Sequence, residues 1–174
     1  MKTIKQLVVL ISTIIAAAAV QAADDSVATA SANLTKILSC EQSAKPKEVA
    51  TYIKKLGGKA IVQASDLSDA QYTLPNPVDV FGRPVKQIMV HKAGGGEGDD
   101  YNEYSALLPG ESIDAIAKAA GVAKDEVGDY RKEAGNNNIS ITRDPGDGVV
   151  YVTCVNNVRS VVKTIKGATN GATK

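Results

Sequence analysis

An α+β fold, an antiparallel sheet with helical hairpins packed on one face and one disulfide, is predicted by three features of the sequence. Apolar residues recur at helical spacing near the start and again after residue 109. Short β-branched runs, separated by Gly, Pro and Asp turns, fill most of the remainder. Two cysteines, Cys40 and Cys154, follow an apolar leader of the kind that directs export.

The leader comes first. Met1 to Lys5 is basic, Leu7 to Val20 is apolar apart from Ser12 and Thr13, and Val20-Gln21-Ala22 ends in a small residue. Residues 1–22 therefore read as a signal peptide cleaved after Ala22, too short and wrongly flanked for an anchor. The expected location is periplasmic or secreted, with no membrane span. An even cysteine count in an exported chain predicts a Cys40–Cys154 disulfide, and the absence of a C-x-x-C pair makes it structural.

Asp25 or Ser26 caps a helix with Val27, Ala30, Leu34, Ile37 and Leu38 on its apolar side. Ser43 to Pro46 opens a second, with Val49, Ile53 and Leu56 on one face, and Gly57-Gly58 stops it. Together they predict a helical hairpin with Cys40 in or beside the connection. Ala60–Val62 and Tyr72–Leu74 read as strands, and Pro75-Asn76-Pro77 as a break. Val78–Val80, a turn over 81–84 and Val85–Val90 follow as strand, turn, strand. Ala93 to Asp100 is an acidic, glycine-rich loop, and Tyr101–Leu108 returns as a strand. Ser112 caps a helix carrying Ile113, Ile116, Ala117 and Ala120, closed by Gly121. A further helix is expected from Lys124 or Asp125, with Val127, Tyr130 and Ala134 inward and Gly135 at its end. Ile139–Thr142, a turn over 144–148 and Val149–Val155 form a hairpin. Val158, Val161, Val162 and Ile165 predict a short C-terminal helix over the sheet, and residues 167–174 a frayed tail. Residues 23–166 are expected to form a single domain.

Composition narrows the function classes. The chain has 20 basic and 19 acidic residues; without Lys2 and Lys5 it has 18 against 19, a net charge of −1. That balance argues against nucleic acid or another polyanion as partner. There is no Trp and one Phe, which argues against broad aromatic platforms. His91 is the only histidine, so no transition-metal site is expected. No G-x-S-x-G elbow, P-loop or dinucleotide fingerprint occurs. The sequence thus predicts no cofactor and a non-catalytic, binding role.

The stretch Ile116-Ala117-x-x-Ala120-Gly121-Val122 resembles a bacterial helix-turn-helix, but Asp125, Glu126 and Asp129 would sit against phosphates. Tyr104 to Val122 also resembles the start of a LysM domain, through Gly110, Glu111, Ser112, Ile113, Ile116, Ala117, Gly121 and Val122. That resemblance, over residues 104–143, implies a βααβ segment that binds N-acetylglucosamine chains of peptidoglycan or chitin. It implies glycan contacts at Gly110, Glu111 and Ser112. The family's Gly-x-x-Leu-x-Ile-Pro ending is absent, and Ile139-Ser140-Ile141 stands there.

Two functional expectations follow. One is a periplasmic protein docking on peptidoglycan through Gly110–Ser112. The alternative is an immunity or inhibitor protein that neutralises a toxin or hydrolase in the periplasm. There the loop between Gly94 and Glu103 would enter a basic cleft, with Glu97, Asp99 and Asp100 as partner contacts.

Overall fold

The computed structural model describes residues 26–65, 69–93 and 101–156. The expected signal peptide, the loop residues 94–100 with Glu97, Asp99 and Asp100, and the C-terminal helix and tail lie outside the described residues.

The described residues open with helix α1 over residues 26–38. Ala30, Leu34, Ile37 and Leu38 are buried on one stripe, whereas Val27 is half-exposed. The helix ends at Cys40, whose φ of 63° is left-handed, with Glu41 N–H donating to the Lys36 carbonyl at 2.8 Å. Glycine usually occupies such a position; here the disulfide demands a side chain. Helix α2, Pro46–Lys55, starts on a proline that needs no N–H in the first turn. Its Glu48 carboxylate accepts from the Lys45 N–H at 2.8 Å. Val49 and Ile53 face inward. The chain leaves through Gly57 and Gly58, and a Cβ on Gly58 would lie 2.5 Å from Ile53 Cγ2 and 3.0 Å from Leu74 Cδ2.

Seven strands follow: β1 (Lys59–Val62), β2 (Ala70–Val80), β3 (Arg83–Ala93), β4 (Tyr101–Leu108), β5 (Tyr130–Ala134), β6 (Asn137–Arg143) and β7 (Val150–Asn156). They form one sheet in the order β1-β2-β3-β4-β7-β6-β5, antiparallel at every pairing. Pro75-Asn76-Pro77 does not break the chain as expected. All three residues are exposed within β2, where the register to β3 shifts between Thr73 and Val78. β1 reaches only to Thr73, so among the described residues the second half of β2 has no partner on that side. A bulge on an unpaired flank is where a strand tolerates proline. The hairpin turn is also tighter than expected. Phe81 and Gly82 have φ of 53° and 75°, a two-residue turn matched to strand twist, and Arg83-Pro84 already belong to β3.

Helix α3, Ile113–Ala120, is capped by Ser112, whose hydroxyl accepts from Ala115 N–H at 3.5 Å, and closed by left-handed Gly121. The further helix expected after it is absent. Asp125 Oδ1 instead accepts from the Val127 and Asp129 N–H groups, at 3.0 and 2.9 Å, and gathers the chain into a turn. Strand β5 then begins at Tyr130. Val127 is 81 % exposed. A side chain that satisfies backbone donors this way competes directly with a helix. The segment from Tyr104 therefore runs β4-α3-β5-β6, and the α+β fold carries one helical hairpin, not two.

The buried faces of all three helices join one side of the sheet in a single core, with Leu34, Ile53 and Ile116 against Val80, Ile88, Tyr104, Val152 and Ile141. The α1–α2 connection is fastened to one end of that sheet. Cys40 and Cys154 form the expected disulfide. Tyr104 Oη and Asn156 Nδ2 both donate to the Ala44 carbonyl, at 2.9 and 3.0 Å, and Ser43 Oγ donates to Asn137 Oδ1 at 2.8 Å. On the other face Ser105 and Thr153 hydroxyls pair across β4 and β7 at 2.9 Å.

Candidate functional site

β4 ends at Leu108 and the chain turns through Gly110, whose φ is 75°. Glu111 Oε2 lies 3.5 Å from Arg83 Nε, and the Glu111 carbonyl accepts from Arg143 Nη2 at 2.7 Å. Ser112 caps α3. The three residues nominated as glycan contacts are thus adjacent, and each has a structural duty: turn, ion pair and cap.

Immediately beside them lies a groove of about 400 Å³. Ile113 and Asp114 of α3 form one wall, the Asp125 turn and Tyr130 another, and Ile141, Thr142 and Arg143 at the end of β6 the third. Tyr130 Oη donates to Asp114 Oδ1. Lys124 Nζ sits 5.2 Å from the centre of the Tyr130 ring, within cation–π range. Arg131 Nη2 donates to Asp129 Oδ2 at 2.8 Å. The phenol of Tyr130 is held above its ordinary pKa, chiefly because Asp114 accepts its proton in a hydrogen bond. An aromatic side, two carboxylates, two cations and the Thr142 hydroxyl converge on one hollow. Such a set offers hydroxyl-rich ligands both donors and acceptors against an apolar surface. Asp114, Lys124 and Tyr130 were not singled out as ligand contacts by the sequence, because only the turn after α3 brings them together.

Glu97, Asp99 and Asp100 belong to the segment joining β3 to β4, whose strands pair as far as Ala93 and Tyr101. The segment therefore connects two adjacent strands of the sheet.

A larger cavity, about 630 Å³, lies where α2 begins and β2 and β3 meet. Its wall includes Ser65, Asp69, Tyr72, His91 and Lys92. His91 Nδ1 is hydrogen-bonded to Asp69 Oδ1. His91 was anticipated only as a lone histidine at a strand end. Asp69 and His91 are 22 residues apart, and the pairing of Ala70 with Val90 is what unites them. Among the described residues no three or more His, Cys, Asp or Glu side chains gather as a metal site. No helix among them is long and apolar enough to cross a membrane.

Fold and sites define an α+β protein with a seven-stranded antiparallel sheet and concavities at two of its corners. Neither protein-family models, nor curated proteins, nor solved structures give a match to this chain.

Proposed function

We propose that the protein is a periplasmic binding protein that docks on peptidoglycan through the groove beside α3. The observation that carries this reading is positional: every residue lining the groove falls within 104–143, the stretch with the LysM-like pattern. The proposed docking edge comprises Gly110, Glu111 and Ser112 together with the adjacent groove that starts at Ile113. An apolar leader and a disulfide suit an exported protein. Docking requires no bond-making chemistry from the protein.

Co-sedimentation with purified peptidoglycan tests it. The wild-type protein pellets, and Tyr130→Ala or Lys124→Ala weakens binding by roughly tenfold, the loss of one aromatic or charged contact of about 1.4 kcal/mol. Wild-type protein that remains in the supernatant defeats the proposal.

The immunity or inhibitor reading is favoured by a separate observation. The sequence segment that carries Glu97, Asp99 and Asp100 joins β3 to β4, two strands paired as far as Ala93 and Tyr101. Neutralising Glu97, Asp99 and Asp100 should then slow capture of a partner with a basic cleft and flatten its salt dependence. Unchanged association kinetics would remove the loop from the interface.

A further inference from the structure

The charged groups around the groove beside α3 are unequally satisfied. Asp114 accepts the Tyr130 hydroxyl, and Asp129 accepts from Arg131 Nη2 at 2.8 Å. Glu111 faces Arg83, and Asp125 Oδ1 takes the Val127 and Asp129 N–H groups. Each of these carboxylates has a donor of its own. The cations differ. Lys124 and Arg143 line the groove, and among the described residues neither forms an ion pair with a carboxylate. Lys124 Nζ lies over the Tyr130 ring, 5.2 Å from its centre. That contact attracts the ammonium without cancelling its charge. Arg143 donates to two main-chain oxygens, those of Gly148 and Glu111, at 3.1 and 2.7 Å. A guanidinium has five N–H donors and keeps its full charge beside carbonyl dipoles.

Strand register places the two cations on one face. Lys124 bridges Tyr130, Tyr130 stands opposite Ile141, and Arg143 follows Ile141 by two residues in β6. Residues two apart on a strand share a face. Two strand spacings across and two residues along separate their main chains by roughly 12 Å. Two long side chains reach into a gap of that size from either end. Ile113 and Ile141 supply the apolar part of the same groove.

We infer that the groove takes a carboxylate, contacted by Lys124, with Arg143 adding a fixed positive charge from the β6 wall. The ligand feature is then the peptide stem of peptidoglycan, in addition to its sugars. The inference rests on the docking reading above. Peptide stems carry carboxylates that are anionic at neutral pH. Chitin shares the N-acetylglucosamine units and has no such group. A carboxylate forms charge-assisted hydrogen bonds with an ammonium, and the aliphatic side chains of a stem meet Ile113 and Ile141. The excess of positive charge is local. The whole chain has 20 basic and 19 acidic residues, so the groove selects a single anionic group rather than a polyanion.

The test is co-sedimentation with three polymers: purified peptidoglycan, the same material with its carboxyl groups converted to neutral amides by carbodiimide and ethanolamine, and chitin. Wild-type protein should bind intact peptidoglycan roughly tenfold more tightly than the amidated form, the scale of one hydrogen bond to a charged group. The difference should shrink in about 0.5 M sodium chloride, where screening acts within a few ångströms. Lys124→Gln should bind intact peptidoglycan as weakly as wild type binds the amidated polymer, and amidation should weaken it no further. That non-additivity is the mark of a direct pair. Lys124→Arg should restore the preference. Lys59→Gln, at an exposed position on β1 at the opposite edge of the sheet, should bind as wild type; a loss there equal to that of Lys124→Gln would make the attraction nonspecific and overturn the proposal. Wild-type protein that ignores intact peptidoglycan defeats the docking reading and this inference together. Equal retention on intact peptidoglycan, amidated peptidoglycan and chitin leaves docking in place and overturns the carboxylate contact alone.

Discussion

Opening the Cys40–Cys154 bond should remove a large share of the folding free energy. The crosslink spans 114 residues. In the chain-entropy account, closing a loop of that length restricts the unfolded chain by about 4.8 kcal/mol at 25 °C. Net stabilities of small domains are only about 5–15 kcal/mol, so the loss should be visible without special conditions. The assay is urea unfolding of the oxidised protein beside a Cys40→Ala/Cys154→Ala variant. With a slope of about 2 kcal/mol per molar urea, the midpoint should fall by about 2–3 M. Cys154 is fully buried and Cys40 nearly so, so the alanines also remove two sulfur atoms from the core. Reduction and refolding of the wild-type protein controls for that packing loss. A companion variant isolates backbone strain. Cys40 occupies a left-handed conformation, which costs a non-glycine residue about 1–2 kcal/mol. Cys40→Gly/Cys154→Ala should therefore be more stable than the double alanine by about that amount. A midpoint shift under about 0.5 M on losing the bond would refute the argument that this closure constrains the unfolded chain.

Tyr104 should make the fold sensitive to alkali. Its phenol is buried and its pKa is raised above the ordinary value of 10.0, first by that burial and then by the charge of Glu48. Its contribution is complete below pH 10. Above it the unfolded chain loses the proton first, so stability should fall by up to about 1.4 kcal/mol per pH unit. Tyr104→Phe should lose about 1 kcal/mol at neutral pH with its bond to Ala44 and show a flatter alkaline limb, read by melting between pH 8 and 11.5. Gly58→Ala should destabilise by about 1–3 kcal/mol in the same melt, because the new methyl meets Ile53 and Leu74 with no room to move away. Ser112→Ala should cost about 1 kcal/mol as a lost helix cap; an unchanged melting temperature would show that the cap contributes nothing.

The elements legible in the sequence were those whose signals are local. α1 and α2 each show an apolar stripe over several turns, and the buried residues are the ones the spacing names: Leu34, Ile37, Leu38, Val49 and Ile53. The β5 segment carries an ambiguous signal. Val127, Tyr130 and Ala134 are spaced as on a helix, but Tyr130, Lys132 and Ala134 are equally spaced for a strand, and a five-residue run cannot separate the two periods. What decides is Asp125, which closes the preceding turn with its side chain, and β6, whose free edge accepts the returning strand. Pro75 and Pro77 mislead for a related reason. Proline reports a missing donor, and the sequence does not show that this half of β2 lacks a partner among the described residues to receive one.

Sites follow the same distinction. The pattern Gly110-Glu111-Ser112-Ile113 reads from the sequence as a ligand edge. The structure also gives these residues a left-handed turn, an ion pair to Arg83, a helix cap and packing against the core. A helix start packed on a sheet needs those residue types whether or not a ligand binds, so a resemblance carried by them speaks first to the start of α3. Two polar pairs lie outside that pattern, and tertiary pairing alone assembles them. Tyr130 meets Asp114 across 16 residues, and His91 meets Asp69 across 22. In each case a strand begins at or beside the residue in question, Tyr130 as the first residue of β5 and Asp69 one residue before β2. The register of those strands, rather than any motif, sets which side chains share a hollow. Function in this fold is therefore to be sought at the strand ends: Asp114 and Tyr130 at one corner of the sheet, Asp69 and His91 at the other.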